Sequence, residues 1–186
     1  MKNNSALKNY SMRVISALNT VNIAELEAAV KSIHSTAKSS RKIWLIGNGG
    51  SAATSSHFAT DLNRCVGENG QNLKAISLCD NSGLITAIGN DFSFEDIFVK
   101  QLQKLGGKGD LLISISASGN STNLIKAIEF AKISSIFTLS LVGFDGGVLQ
   151  KLSDSSIHVQ TDLGDYGVAE DCHSILCHYI SSQLRE

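Results

Sequence analysis

The chain has 186 residues, 42% of them hydrophobic, with 16 basic and 17 acidic side chains and a net charge of −1. This length and composition fit one hydrophobic core and hence a single domain over 1–186, and the near-neutral charge argues against direct nucleic-acid binding. No apolar stretch reaches the roughly 20 residues of a membrane helix. The first residues also lack the apolar segment of a secretion signal, so we expect a cytoplasmic protein without membrane contact.

The first forty residues contain two helical patterns, in which apolar residues recur at the spacing of an amphipathic helix. We therefore predict an N-terminal helical pair over 1–40, followed by a core over 41–186. The apolar residues of the pattern are Leu7, Met12, Val14, Ile15 and Leu18 in the first helix, and Ile23, Leu26, Ala29, Val30 and Ile33 in the second.

Short apolar runs alternate with longer helical patterns in the rest of the chain. Such alternation is typical of βαβ units, and it predicts an α/β protein: a three-layer αβα sandwich with a five-stranded parallel sheet. Ligands of such sheets bind beyond the carboxyl ends of the strands. The runs cover 42–47, 73–78, 110–116, 136–144 and 156–161, and the helical patterns cover 51–65, 82–104, 121–132, 146–152 and 168–185.

A glycine-rich turn follows the first run, in the stretch "LIGNGGSAATSSHFATDLNR". Residues 47–50 turn the chain, and Ser51 stands where a helix N-cap is expected. Glycines let a ligand approach the backbone, and the free N–H groups of a first helical turn favour an anion. The alternative is that Ser51 only caps a helix.

A second loop of small polar residues follows the third run. It contains Ser116, Ser118 and Ser121, whose hydroxyls, together with free backbone N–H groups, can hold a phosphate without any Lys or Arg. Because two such loops follow two strands of one predicted sheet, a phosphate site is favoured over helix capping alone.

His57 and Asp61 are four residues apart on the predicted helix that follows the first loop. That spacing places both side chains on one helix face, where they can share a metal ion. A surface hydrogen bond between the two side chains is the alternative.

Three segments resemble the sugar isomerase (SIS) domain family, which has a flavodoxin-like fold: "GNGGSAATSSHFATDL", "AIGNDFSFEDIF" and "GDLLISISASGNSTNLIKAIEFAK". Within that family the chain is most similar to the bacterial phosphoheptose isomerases, including the N-terminal helices and the closing "EDCHSILCHYI". The resemblance implies an aldose–ketose isomerase that converts sedoheptulose 7-phosphate through an enediol. It also implies zinc, and a homotetramer whose sites are shared between subunits, with residues 1–40 in the oligomer contact.

The resemblance implies a role for individual residues. Asp61 and His178 match the two groups that transfer protons. The zinc ligands implied are His57, Asp61, Glu170 and His178. The implied substrate-binding residues are Asn48, Gly49, Gly50, Ser51, Asn90, Asp91, Ser116, Ala117, Ser118, Ser121 and Glu170.

Four positions depart from the isomerase pattern. Asp61 stands in place of a glutamate, Glu170 in place of a glutamine, Gly167 in place of an aspartate and Cys65 in place of an arginine. These departures keep two alternatives open. One is an isomerase of a different phosphosugar, and the other is a non-catalytic SIS adaptor that binds a protein partner such as a replication initiator.

The last helical pattern leaves the ligand set open. Eight residues separate Glu170 from His178, about 12 Å along a helix, so Glu170 either reaches across or acts with ligands from another chain. His173 and Cys177 form a rival pair at i, i+4 spacing on the same helix. His158, in a strand pattern, is expected to be structural.

Overall fold

The computed structural model describes residues 2–64 and 73–185; Cys65 lies outside the described residues. No helix within those ranges is long and apolar enough to cross a membrane. The helices are α1 (Lys2–Leu18), α2 (Ile23–Lys38), α3 (Gly50–Arg64), α4 (Ser82–Asp91), α5 (Val99–Leu105), α6 (Thr122–Ile133), α7 (Gly147–Leu152) and α8 (Tyr166–Gln183). The strands are β1 (Lys42–Gly47), β2 (Lys74–Ser77), β3 (Leu111–Ser116), β4 (Phe137–Val142) and β5 (Ser155–His158).

The five strands form one parallel sheet in the order β2-β1-β3-β4-β5. Leu45 of β1 lies beside Ser77 of β2 on one side and Ile113 of β3 on the other. The chain therefore leaves β1 towards one edge of the sheet and returns at β3 on the opposite side. The loops that follow β1 and β3 diverge at this point, which is where open α/β sheets form their ligand crevice.

Both faces of the sheet are covered by helices, which confirms the predicted three-layer αβα sandwich. Ile43 and Leu45 of β1 point to the face covered by α2, α3 and α8, where they join one large apolar cluster. Trp44 and Ile46, which alternate with them, join a second cluster with residues of α4 to α7. The indole N–H of Trp44 donates a 2.9 Å hydrogen bond to the buried carboxylate of Asp110.

The N-terminal helical pair is present as predicted, but its inward face differs in part from the expected one. Val14 and Leu18 of α1 and Leu26, Ala29 and Ile33 of α2 pack into the core shared with the sheet. Four residues of the predicted apolar pattern instead face outward and are more than half exposed: Leu7, Met12, Ile15 and Ile23. The apolar pattern of α1 therefore covers two sides of the helix, and this chain buries only one of them.

The prediction of one helix over 82–104 is wrong. The structure divides it into α4, a 3-10 turn at Phe94–Asp96, and α5. Gly89, Asn90 and Asp91 end α4 with three weak helix formers in a row. Ser93 is extended, and its hydroxyl donates a 2.8 Å hydrogen bond to the carboxylate of Asp96, which stabilises the new turn.

Candidate active site

A small cavity lies where the loops after β1 and β3 diverge, as expected for the crevice of this sheet. Its volume is about 90 Å³. The residues that line it come from both loops, from the end of β3, from the start of α3 and from α8: Asn48, Ser51, Ile115, Ser116, Ala117, Ser118, Ser121, Tyr166 and Glu170. Six of the predicted substrate-binding residues that follow β1 and β3 therefore line one cavity with Glu170.

The first loop is fixed by its backbone and by one pair of amide side chains. Gly49 has a φ of +53°, in the left-handed region that favours glycine, and α3 begins at Gly50. Ser51 therefore lies within the first helical turn, so its assignment as the N-cap is wrong. The side chains of Asn48 and Asn123 donate to each other in two 2.9 Å hydrogen bonds, which tie the first loop to the start of α6.

The second loop, which we call the serine loop (residues 116–121), is closed by its own hydroxyls. Ser116 Oγ accepts a 3.0 Å hydrogen bond from the backbone N–H of Gly119, and Ser118 Oγ accepts one of 3.3 Å from Asn120. Ser121 is the N-cap of α6, yet among the described residues its side chain makes no capping hydrogen bond. Helix capping alone therefore does not account for the Ser121 hydroxyl, which faces the cavity.

Glu170 lies at the same end of the site as the serine loop. A Cβ atom added to Gly50 would overlap the Glu170 carboxylate, so this carboxylate rests directly on the N-terminus of α3. A helix N-terminus stabilises a negative charge through its free N–H groups. Glycine at position 50 is what leaves room for the contact.

A second group of side chains lies further along α3, where that helix packs beside α8. Asp61 Oδ2 is 3.6 Å from His57 Nε2 and 3.7 Å from His178 Nε2. The two imidazole rings meet edge to face with centroids 4.9 Å apart. His57, Asp61 and His178, which the sequence analysis grouped as metal ligands, thus lie close together within one chain. We call these three residues the His/Asp cluster.

The spacing of the His/Asp cluster fits a metal ion better than direct hydrogen bonds. Both nitrogen–oxygen distances exceed the usual 2.7 to 3.2 Å of a hydrogen bond. Ligands about 2.0 to 2.1 Å from a tetrahedral zinc ion lie roughly 3.4 Å from one another. One ligand atom from each residue lies within 4.8 Å of the other two. Because Asp61 is buried while His57 and His178 are half exposed, an ion held here would remain open on its outer side.

Other predicted residues do not join the His/Asp cluster. Within residues 2–64 and 73–185, the group of potential metal ligands contains His57, Asp61 and His178 but neither Glu170, His173 nor Cys177. Asn90 and Asp91 lie at the exposed end of α4, where the Asn90 amide donates a 2.9 Å hydrogen bond to the Asp91 carboxylate. The structure therefore does not bring these two residues to the cavity of their own chain.

The rival pair on α8 lies in the protein core. The imidazole of His173 is fully buried, and desolvation lowers its pKa to about 4, which favours the neutral ring. Burial likewise raises the pKa of the Cys177 thiol and keeps it protonated. His158 has two partners, the Gln150 amide at 3.2 Å and the Phe144 carbonyl at 3.0 Å, in keeping with the structural role expected of it.

The sequence reasoning missed two residues of the site. Asn123 is buried and its side chain donates a hydrogen bond to Asn48. The sequence contained a signal for it, because Asn123 lies two residues after Ser121 in the first turn of a helix that follows a strand. Tyr166 lines the cavity from the start of α8. No local sequence pattern marks Tyr166, because its place depends on how α8 packs against the serine loop.

Comparison with known proteins identifies the family of this chain. The profile of the SIS domain family matches residues 8–143. The phosphoheptose isomerase of Helicobacter pylori strain P12 is 40% identical over 155 residues, which is 83% of this chain and 80% of that protein. The phosphoheptose isomerase of Dechloromonas aromatica strain RCB is 37% identical over 174 residues, covering 92% and 89% of the two chains.

A solved structure gives the same result. The phosphoheptose isomerase of Neisseria gonorrhoeae superposes with a TM-score of 0.87 at 29% identity, over 98% of this chain and 97% of that one. The similarity to named phosphoheptose isomerases thus extends over most of the sequence and nearly the whole fold. This chain belongs to the SIS domain family and, within it, to the phosphoheptose isomerases.

Proposed function

We propose that this protein isomerises sedoheptulose 7-phosphate to an aldoheptose 7-phosphate through an enediol. The observation that carries the proposal is the placement of two groups along α3. The cavity with the serine loop lies at the start of the helix, and His57 lies seven residues after Gly50, about 10 Å along the axis. An extended chain of seven carbons spans roughly 8 Å, so a heptose phosphate bound by its phosphate reaches the His/Asp cluster with its first two carbons.

The phosphate end relies on neutral donors. Ser116, Ser118 and Ser121 would surround the phosphate, and the first N–H groups of α3 and α6 would add the partial positive charge of two helix N-termini. The bound phosphate then acts as a handle that fixes the position of the reacting carbons.

The reaction itself needs two proton transfers. We propose that the Asp61 carboxylate takes the proton from C1 of the ketose while His178 supplies a proton to the C2 oxygen, which gives the enediol. The protonated Asp61 then returns its proton to C2 while His178 takes the proton of O1, which gives the aldose and restores both residues. Aspartate is one methylene shorter than glutamate, but the Asp61 carboxylate still lies within 3.7 Å of both imidazoles of the His/Asp cluster.

We propose that His57, Asp61 and His178 hold a divalent cation, with zinc as the candidate because nitrogen and carboxylate ligands at this spacing suit it. When bound, such an ion polarises the sugar carbonyl. The role of Glu170 as a fourth ligand remains a prediction from resemblance, since its carboxylate rests at the other end of the site, on Gly50.

We further propose that the single domain over 1–186 assembles as a homotetramer in the cytoplasm, with residues 1–40 forming part of the contact. The outward apolar residues of the helical pair, Leu7, Met12, Ile15 and Ile23, support this because an exposed apolar face favours association. The exposed pair Asn90 and Asp91 would then complete the site of a neighbouring subunit.

The test is turnover of sedoheptulose 7-phosphate by the purified full chain with zinc supplied, followed by NMR of the sugar anomeric signals. We expect aldoheptose 7-phosphate to accumulate, and we expect activity to fall after treatment with a chelator and to return when zinc is added. Absence of turnover together with absence of bound metal would contradict the proposal.

A different phosphosugar is the alternative substrate that the departure at Gly167 left open, and the comparisons do not favour it. At Gly167, where the resemblance leads one to expect an aspartate, an added Cβ would lie 3.2 Å from the Tyr10 hydroxyl. A panel of five-, six- and seven-carbon ketose phosphates separates the two, because the heptose must give the largest kcat/KM if the first proposal holds. The comparisons do not favour the non-catalytic adaptor.

A further inference from the structure

Phe144, which follows β4, has an unusual backbone conformation for its residue type. Its φ is +47°, in the left-handed region that a residue with a Cβ rarely adopts. Two contacts hold it there: the backbone N–H donates to Thr161 Oγ1 at 3.1 Å, and the carbonyl accepts from His158 Nε2 at 3.0 Å. The Gln150 amide facing His158 Nδ1 at 3.2 Å favours the tautomer with the proton on Nε2.

The ring of Phe144 fills the space between the serine loop and α8. It is buried in a small apolar cluster with Ala117 of the serine loop and Ala169 of α8. It also meets the ring of Tyr166 edge to face, with centroids 5.0 Å apart. Ala117 and Tyr166 line the cavity themselves, and Ala169 precedes Glu170, which also lines it. The ring therefore touches both walls of the candidate phosphate site from behind.

The segment around Phe144 also supports the backbone of the serine loop. The N–H of Gly143 donates to the Ala117 carbonyl at 3.1 Å, and the N–H of Leu149 donates to the Gly119 carbonyl at 2.9 Å. A Cβ on Gly143 would lie 2.8 Å from the Ala117 carbonyl oxygen and 2.9 Å from the Cβ of Ala169. The serine loop and α8 thus both contact this segment, so we expect a shift of the segment to displace the serine loop.

We propose that Phe144 is a positioning residue that sets the distance between the serine loop and α8, and thereby shapes the phosphate site. This inference rests on the proposed function. The left-handed turn directs the ring between the two walls, and the contacts to Thr161 and His158 keep the turn in place. A strained backbone conformation beside a binding site persists only when several surrounding contacts hold it in place. Such strain is often found at residues that position a binding site.

The test uses three variants of the full chain. Phe144→Ala removes the ring and keeps the strained backbone, Phe144→Gly removes the ring and relieves the strain, and Phe144→Leu keeps an apolar side chain. The matched control is Ser135→Gly, because Ser135 has a φ of +57° at the opposite end of β4, before the strand begins. KM and kcat for sedoheptulose 7-phosphate and the melting temperature are measured for each.

We expect the Ala and Gly variants to raise KM about tenfold while kcat changes by less than about threefold, since a displaced serine loop loses contacts to the phosphate, about 10 Å along α3 from the His/Asp cluster. Phe144→Leu should have an intermediate KM, and Ser135→Gly should leave KM unchanged. If Phe144→Ala does not fold, the Gly and Leu variants still provide the comparison. A lower melting temperature with wild-type KM in both ring-deleted variants would overturn the proposal.

The outcome is separable from that of the proposed function. If the wild-type protein does not turn over sedoheptulose 7-phosphate, the proposed reaction is wrong, but the serine loop can still be assayed by titration with inorganic phosphate. A weaker phosphate affinity in Phe144→Gly than in Ser135→Gly supports the positioning role, and equal affinities overturn it.

Discussion

The two ends of the candidate site are built in different ways. At the phosphate end, loops after two strands are closed by backbone contacts and by paired side chains, and the cavity is lined by residues from four segments. At the other end, three side chains on α3 and α8 meet near the surface, with both imidazoles half exposed. The loops of the first end are held by their own hydrogen bonds, whereas the second end consists of side chains alone.

Because the two ends are built differently, we expect single substitutions at each end to have effects of different size. The serine loop is held by several backbone contacts, so the loss of one hydroxyl leaves the loop in place. We therefore expect such a substitution to weaken phosphate binding and to leave the proton transfers intact. The His/Asp cluster has no such backbone contacts to support it. Removing one of its three side chains therefore removes a group that the proposed metal site and the proton transfers both need.

Asp61→Asn should have the largest effect. It removes the carboxylate that lies between His57 and His178, and we expect kcat to fall by about 10³-fold or more. Bound metal, measured by plasma emission spectrometry, should fall as well. Thr60→Ala, an exposed neighbour on α3, is the control and should retain both properties. Wild-type turnover in Asp61→Asn would show that the carboxylate takes no part in the reaction.

The next prediction concerns α8, which joins the two ends. His173 is buried with a pKa of about 4, against 6.5 in an unfolded chain. Between these values the unfolded chain binds the extra proton, so stability is lost as pH falls from 6.5 towards 4, by about 3 kcal/mol in total. Melting temperatures measured from pH 7.5 to 4.5 should fall less steeply in His173→Leu. The same slope in wild type and His173→Leu would contradict this assignment, and the exposed His34→Gln serves as the control.

Ser121→Ala should affect only the phosphate end. A hydrogen bond to a charged group is worth about 1.5 to 3 kcal/mol, so we expect KM to rise at least tenfold while kcat stays within a few-fold. The melting temperature should hardly change, since within the described chain Ser121 makes no side-chain capping bond. Ser134→Ala, at the other end of α6, is the control. A large loss of stability with wild-type KM would indicate that Ser121 only caps the helix.

The smallest expected effect is that of Glu170→Gln. Removing a negative charge beside the serine loop should lower KM by about two- to fivefold and leave the bound metal unchanged, because the carboxylate rests on Gly50. The exposed Glu129→Gln on α6 should alter neither value. Loss of metal from Glu170→Gln would instead make Glu170 a ligand, as the resemblance implied.

Much of the fold was predictable because its signals are local. Buried parallel strands appear as apolar runs between helical patterns, and the two loops after β1 and β3 appear as clusters of small residues. The break near Phe92 was missed because apolar residues continue at helical spacing through Ile97, Phe98 and Leu102, while weak helix formers end α4. The outward face of α1 was missed because a single chain does not specify which of two apolar sides it buries.

The site was predictable to the extent that its residues lie on one element. His57 and Asp61 share a helix, so their spacing sufficed to pair them. The approach of His178 depends on the packing of α3 against α8, and only the family resemblance indicated it. The place of Glu170 on Gly50 depends on that same packing, and neither sequence spacing nor the resemblance predicted it.

The reciprocal pair of Asn48 and Asn123 imposes a constraint on how this sequence can evolve. Each amide satisfies both the donor and the acceptor of the other, 75 positions away in the chain. Replacing either residue alone leaves a polar group in a largely buried place without its partner, at a cost of about 1 to 3 kcal/mol. A change at one position is therefore opposed by the other, so the loop after β1 and the start of α6 are energetically coupled although the chain encodes them far apart.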